Sequence, residues 1–407
     1  MFKQGISEKT PRRLLFLFEI LAFLLIIIYQ KTIFDKYTLI AGTMLIMIIY
    51  LSNYLLTKIS SGDSYILLIV SMLMSIGIIM IFRIDRELGT RQIMWLSLGI
   101  LCFYLTYLVF KYINIWDKLF YLYIGASYFL FAVTFFFGAE KYGAVNWVHI
   151  AGVSIQPAEV IKLLIVFILA SYYSNHKRFK NKKYSSYIIM AIMYSFIGLL
   201  FLQKDLGMAL IFYIIYLTLQ FIYEKNRPLI LVNLLLFAIS GTFGYFKFNH
   251  VRIRVMTWLN PWKYMDNQGY QITQSLFAIA EGGFFGKGIG LGHPYFIPLS
   301  YNDFIFSAIC EEMGIFTGIG IIMLFMILVY RGFKIGISQE NIFLRIMALG
   351  VSIIFGIQTI IIIGGVIKLI PLTGITLPFI SYGGSSMLTS FVALGILQVA
   401  SEERIEG

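Results

Sequence analysis

Runs of about twenty apolar residues, each long enough to cross a bilayer as a helix, recur along almost the whole chain. Reading the stretches between charged or Gly/Pro-rich breaks places twelve spans, near 14–30, 37–57, 65–84, 92–110, 119–137, 157–173, 186–202, 206–223, 229–247, 304–330, 346–365 and 379–400. Composition agrees: 59% of the 407 residues are hydrophobic and 13% charged, with a mean hydropathy of +0.84, which excludes a soluble globular domain. The expected fold class is an all-α polytopic membrane protein, a bundle of about 12 transmembrane helices.

Lys and Arg in short loops set orientation. Lys3, Lys9, Arg12 and Arg13 precede the first span, and Lys177, Arg178, Lys180, Lys182 and Lys183 crowd the 174–185 loop. An even number of spans puts both segments and the C-terminus on the cytoplasmic side. The 83–91 loop, with Arg83, Arg86 and Arg91, then falls outside, against the rule, although Asp85 and Glu87 offset it. The formal net charge of +12 is scattered over these loops, which fits anionic lipid headgroups and not nucleic acid. Cys102 and Cys310 both fall inside spans, so neither a disulfide framework nor a cysteine metal site is expected. The histidines, His149, His176, His250 and His293, lack metal-ligand spacing. The first apolar run has a basic flank but no small-residue cleavage site before Gln30-Lys31, so it reads as a retained anchor.

Two polar segments interrupt the pattern, and span parity makes both extracytoplasmic. Residues 248–303 form a large loop rich in Gly, Pro and Trp, too aromatic for disorder. Residues 138–156 form a shorter one that leads into the sixth span.

Carboxylates at a membrane edge are costly unless paired or wetted, so each is a candidate for function. Asp303 opens the tenth span, where it is either the group that performs chemistry or a helix N-cap. At 100° per residue Ser307 and Glu311 share its side of the helix and Glu312 falls opposite, with Glu311 roughly 12 Å deeper as a buried support. In the sixth span, which opens with Pro157, Glu159 and Lys162 lie three apart and can neutralise one another. They form either a structural ion pair or a polar wall for a charged headgroup. Arg252 and Arg254, beside Trp258 and Trp262, suit a pyrophosphate-bearing, sugar-bearing ligand, with headgroup anchoring an equal rival for the tryptophans. The glycine run Gly282, Gly283, Gly286, Gly288, Gly290 and Gly292 superficially resembles a nucleotide loop but lacks its strand, helix and Lys-Ser/Thr; tight outer turns explain it better. Gly314 and Gly318 read as a helix-packing pair. Breaks at Gln203–Gly207 and Leu377–Ser386 imply a cavity, since non-helical backbone at such depth survives only where protein or water satisfies it.

Five motifs in this order resemble the SEDS family, which includes FtsW, RodA and SpoVE, over roughly residues 65–400. They are Gly143-Ala144-Val145-Asn146-Trp147 through Gln156-Pro157-Ala158-Glu159; Gln203-Lys204-Asp205-Leu206-Gly207; Gly269-Tyr270-Gln271 with Gln274-Ser275; Asn302-Asp303-Phe304-Ile305-Phe306 with Glu311-Glu312; and Pro378 through Ser386. The resemblance implies ten family helices preceded here by an added N-terminal hairpin, dividing the chain into 1–60 and a catalytic region 61–407. It implies a peptidoglycan glycosyltransferase of the bacterial cytoplasmic membrane that polymerises lipid II on the outer face beside a class B penicillin-binding protein. Asp303 would be the essential residue, with Trp147, Glu159 and Lys162 lining its cavity. Arg252, Arg254, Gln271, Gln274 and Ser381 are the further substrate contacts expected, and Asp205, Glu311 and Glu312 the supports. The chain departs from the family where Pro298-Leu299-Ser300-Tyr301-Asn302-Asp303 replaces the usual Pro-Glu-x-x-Thr-Asp, and where Lys204 and Ala158 replace proline and serine. The Leu259–Trp262 stretch leans toward FtsW and SpoVE over RodA.

Asp303 is expected to act as general base in an inverting displacement, with the leaving pyrophosphate met by Lys162, Arg252 or Arg254, or by a divalent cation such as Mg or Mn. The rivals are a lipid-precursor flippase and a non-catalytic scaffold of the division or elongation machinery; no inverted repeat of the kind transporters carry is visible.

Overall fold

The computed structural model describes residues 9–29, 36–141, 144–150, 152–175 and 184–402. Lys3, His176, Gly143, Gln30, Lys31 and the basic run Lys177–Lys183 lie outside the described residues. The described chain holds α1 (Lys9–Tyr29), α2 (Lys36–Ile59), α3 (Tyr65–Ile84), α4 (Arg86–Tyr112), α5 (Phe120–Phe137), α6 (Pro157–Ser174), α7 (Ser185–Leu202), α8 (Leu206–Tyr223), α9 (Pro228–Lys247), α10 (Asn249–Leu259), α11 (Tyr270–Gly282), α12 (Ile305–Ser338), α13 (Ile342–Val366) and α14 (Gly384–Ala400). Ten of these helices are long and apolar enough to cross a membrane. α14, at 17 residues, is apolar but shorter, and α1 carries Arg12, Arg13 and Glu19 within its apolar stretch. Among the described residues the chain is thus all-α apart from one small antiparallel sheet, β1 (Gly138–Lys141), β2 (Ala144–Ile150) and β3 (Val153–Ile155), which gives the 138–156 segment its order.

The chain divides into two compact units. The first comprises 1–105, 271–328 and 376–407; the second comprises 106–270 and 329–375. In the second, α6 and α13 are buried along most of their length. Gly350 lets their backbones close up, since a methyl group there would stand 2.3 Å from Val166 Cγ1. α6 opens on Pro157, which has no N–H to leave unsatisfied in the first turn. Asp205 caps α8, its side chain accepting from Met208 N at 3.1 Å.

In the first unit α3 is the buried pillar, with sixteen of its twenty residues enclosed. The glycine run and α12 are interlocked. At Gly314 the α12 backbone leaves the helix (φ 83°, ψ 164°), which frees two carbonyls and two N–H groups. Each finds a partner in the glycine run. Lys287 N donates to Glu311 O and Gly288 N to Glu312 O, both at 2.9 Å. In the other direction Ile315 N donates to Gly283 O at 2.9 Å and Phe316 N to Phe284 O at 3.1 Å. The glycines are therefore not outer turns alone. They let one backbone lie on another, because a methyl group at Gly286 would meet Glu312 O at 2.3 Å and one at Gly314 would meet Phe284 O at 2.3 Å. Gly314 is accordingly a helix break and not half of a helix-pairing motif.

Arg83 at the end of α3 donates to Gly290 O at 2.7 Å and lies 3.3 Å from Glu312 Oε1; Arg91 pairs with Glu87. Two of the arginines that run against the charge rule thus answer to nearby acids. Gly314→Ala should lower stability by about 2 kcal/mol or more, from the left-handed φ and the close backbone. Gly320→Ala in the same helix, where nothing lies within 4 Å of the added methyl group, should change it by about 1 kcal/mol at most in the favourable direction. Thermal unfolding of the two variants in detergent checks the contrast.

Candidate active site

Asp303 stands in the turn Tyr301–Phe304, ahead of α12 and half-buried. It is therefore not on the helical stripe with Ser307 and Glu311 that ideal geometry draws. The turn is held by the broken segment before α14. Ser381 Oγ donates to Asn302 O at 2.8 Å and accepts from Leu377 N at 2.9 Å, and Tyr382 N donates to Tyr301 O at 2.9 Å. Gln92 of α4, fully buried, donates to Ser381 O at 3.1 Å. The tyrosine rings of 301 and 382 meet edge to face at 6.0 Å. Ser381, expected as a substrate contact, is buried with its hydroxyl engaged on both sides; the structure makes it a clamp on the backbone next to Asp303.

Gln271 reaches Pro298 O only at 3.4 Å, and Gln274 is half-buried on the same helix, α11. From α11, Ser275 meets Ser307 of α12, their hydroxyls 2.6 Å apart. Glu311 accepts from His293 N at 2.7 Å with Lys287 Nζ at 3.7 Å, and Glu312 accepts from Gly290 N at 2.8 Å. Both carboxylates fasten the glycine run to α12.

The remaining expected residues belong to the second unit. Glu159 and Lys162 form an ion pair at 2.6 Å, and Lys162 Nζ also donates to Gln358 Oε1 of α13 at 3.1 Å. With Glu159 2% and Lys162 1% exposed, the pair is enclosed, which matches the structural ion pair more closely than an open polar wall. Asp205 gathers the outer motifs: Asn146 Nδ2 and Gln156 Nε2 donate to its Oδ2 at 2.6 and 3.0 Å. Burial pushes its carboxyl above the ordinary aspartate range, against those hydrogen bonds, the Met208 N–H and the Arg254 charge. Trp147, half-buried on β2, lies opposite Ala139 in the sheet register. On α10, Arg254 donates to Thr373 O at 2.8 Å and Trp258 to Lys368 O at 3.2 Å, one turn apart, pinning the segment after α13. Arg252 is exposed.

A cavity of about 230 Å³ in this unit is lined by Tyr194, Phe201, Leu210, Tyr213 and Gly241 among others, with Arg254 the charged residue in its wall. Among the described residues no three His, Cys, Asp or Glu side chains form a group that could hold a metal ion.

The family of cell cycle proteins FtsW, RodA and SpoVE matches residues 63–406. The chain belongs to the SEDS family. It is 35% identical over 360 residues to the peptidoglycan glycosyltransferase RodA of Mycobacterium tuberculosis, covering 82% of this chain and 77% of that protein. It is 34% identical over 358 residues to the probable peptidoglycan glycosyltransferase FtsW of Wigglesworthia glossinidia brevipalpis, covering 84% and 94%. Identity therefore does not separate the RodA and FtsW branches. A chain from a peptidoglycan synthase complex that coordinates polymerization and crosslinking superposes with a TM-score of 0.71 at 26% identity, over 85% of this chain and 99% of that one.

Gln92, which holds Ser381, and Gln358, which holds Lys162, are partners that motif reading alone misses. Gln358 gives a signal, an uncharged polar residue inside an apolar run, whereas Gln92 stands at the edge of one beside Arg91. In a double-mutant cycle, Glu159→Leu and Lys162→Met should each destabilise by about 3–5 kcal/mol by leaving a bare buried charge, and the double variant by less than either. Chemical unfolding in detergent reads the cycle.

Proposed function

We propose that this SEDS protein is a peptidoglycan glycosyltransferase that polymerises lipid II on the outer face of the bacterial cytoplasmic membrane. The observation that carries this reading is Asp303, a half-buried carboxylate on a turn whose backbone is clamped by Ser381 and Tyr382, in a chain 35% identical to a peptidoglycan glycosyltransferase. Asp303 takes the proton of the acceptor sugar hydroxyl as that oxygen attacks the anomeric carbon of the donor. The bond from that carbon to the prenyl pyrophosphate breaks, and the configuration inverts. A fixed backbone matters because a misplacement near 1 Å costs a base roughly two orders of magnitude.

Of the three cations considered for the leaving pyrophosphate, Arg252 is exposed, whereas Lys162 is enclosed with Glu159 and Gln358. Arg252 is therefore the better donor to the developing charge. Arg254, in the wall of an apolar cavity, suits the junction between a phosphate and a prenyl chain. Trp147, Gln271 and Gln274 remain candidates for contacts to the sugar and peptide. The partner proposed is a class B penicillin-binding protein that crosslinks the product, in keeping with the synthase complex whose chain this one resembles. Both termini are placed on the cytoplasmic side and the region 61–407 is read as catalytic, with 1–60 appended.

Asp303→Asn should keep the fold and melting behaviour and abolish glycan formation from labelled lipid II in proteoliposomes. Glycan ladders of wild-type yield from that variant would remove the base. Arg252→Ala should lower turnover by about tenfold or more, the usual scale for a donor to transition-state charge, with unchanged stability.

A further inference from the structure

The α1–α2 hairpin precedes the family match, which starts at residue 63, yet polar groups join it to the interior of the first unit. Asn53 Nδ2 of α2 donates to Ser71 Oγ of α3 at 2.8 Å, and Tyr104 of α4 donates to Ser52 O at 2.5 Å. At the end of α2, Ser60 Oγ and Ser61 N donate to Glu402 Oε1 at 2.9 and 3.1 Å. The least expected of these contacts is made by Glu19 of α1, which is 0% exposed.

Glu19 Oε1 lies 2.6 Å from Ser75 Oγ on α3, while its Oε2 is buried with no hydrogen-bond partner. The same Ser75 Oγ lies 2.8 Å from Ser71 O. A hydroxyl has one proton to give. Ser71 O is a carbonyl and can only accept, so once Ser75 donates to it, the contact with Glu19 needs a proton on the carboxyl. In the converse arrangement the oxygens of Ser75 and Ser71 face each other without a hydrogen. Glu19 is then an ionised carboxylate with one bare oxygen in an apolar interior, the costliest state available. The neutral acid satisfies both contacts.

α3 connects this pair to the site. Two residues beyond Ser75, Gly77 lies so close to the broken segment before α14 that a methyl group there would stand 2.6 Å from Ile380 O. The next residue, Ser381, clamps Asn302 beside Asp303. We infer that Glu19 is a neutral carboxylic acid that donates to Ser75, and that by fixing the appended hairpin to α3 it is a positioning residue for the Asp303 turn. The catalytic part of this inference rests on the glycosyltransferase reading; the protonation state and the positioning do not.

The full-length protein in lipid nanodiscs tests it with Glu19→Gln, which keeps a neutral donor, and Glu19→Leu, which does not. The infrared difference spectrum of wild type minus Glu19→Gln should show the carbonyl band of a protonated carboxylic acid. Amide exchange across 300–304 and 377–383 should accelerate about tenfold in Glu19→Leu and stay at the wild-type rate in Glu19→Gln. With lipid II as substrate, Glu19→Leu should lose about tenfold in kcat at a KM within about twofold of wild type, with Glu19→Gln unaffected. Should Glu19→Leu not fold, Ser75→Ala, which leaves α1 intact, carries the same expectation for exchange and kcat. A carboxylate band in place of the acid band, or a Glu19→Gln variant as impaired as Glu19→Leu, overturns the neutral donor. Unchanged exchange in Glu19→Leu or Ser75→Ala overturns the positioning role. A wild-type protein that forms no glycan would remove the glycosyltransferase reading while the spectrum and the exchange still decide the case of Glu19.

Discussion

The first unit depends on satisfying backbone groups that a broken helix leaves bare. A transmembrane helix normally meets this need within itself, and a break in lipid costs several kcal/mol per unpaired group. The break of α12 at Gly314 frees the carbonyls of Glu311 and Glu312 and the N–H groups of Ile315 and Phe316, and residues 283–288 take up all four. That exchange requires two backbones in contact, which is why glycines line it. It also explains the paired carboxylates. Glu311 and Glu312 reach past the break to hold His293 N and Gly290 N, so the loop is fastened by side chain and main chain at once.

A second non-helical stretch, 377–383, obeys the same rule with a different outcome. Its groups are taken up by Ser381, by Gln92 of α4 and by the turn that carries Asp303. A carboxylate on a free loop would sample many positions; here the residue before Asp303 is bonded to a segment that itself packs on α3. The fixed position of the Asp303 turn thus follows from the same need for hydrogen-bond partners that lets an irregular segment exist at all.

Much of this is legible in the amino-acid order. The apolar runs announce the helices, and Asp303, Glu159 and Lys162 stand out because charge in such runs is rare. The partners are not legible, because Gln358 lies 196 residues from Lys162 and Gln92 lies 289 from Ser381, and periodicity carries no long-range pairing. Local motifs make Ser381 a ligand contact and Gly314 a packing residue. The structure sets opposite them partners that no local motif announces, the Asn302 carbonyl in one case and the backbone of Phe284 in the other. Within the 248–303 segment, which reads as a loop from its composition, α10 and α11 stay hidden because their short apolar faces lack the length of a span.

The polar clasp on the N-terminal hairpin follows from the solvent. Between helices in lipid there is no hydrophobic force to speak of, since hydrocarbon tails are as apolar as leucine; association rests on close packing and on hydrogen bonds. A hairpin that must stay on α3 therefore needs groups that would be worse off facing lipid. Glu19, Asn53 and the Ser52 carbonyl are such groups, and each meets a partner on α3 or α4. The neutral acid serves this end better than an ion pair, because it brings a strong donor into the interior without the desolvation cost of charge. The same reasoning separates Glu19 from Glu159, whose partner is the Lys162 side chain, itself held by Gln358.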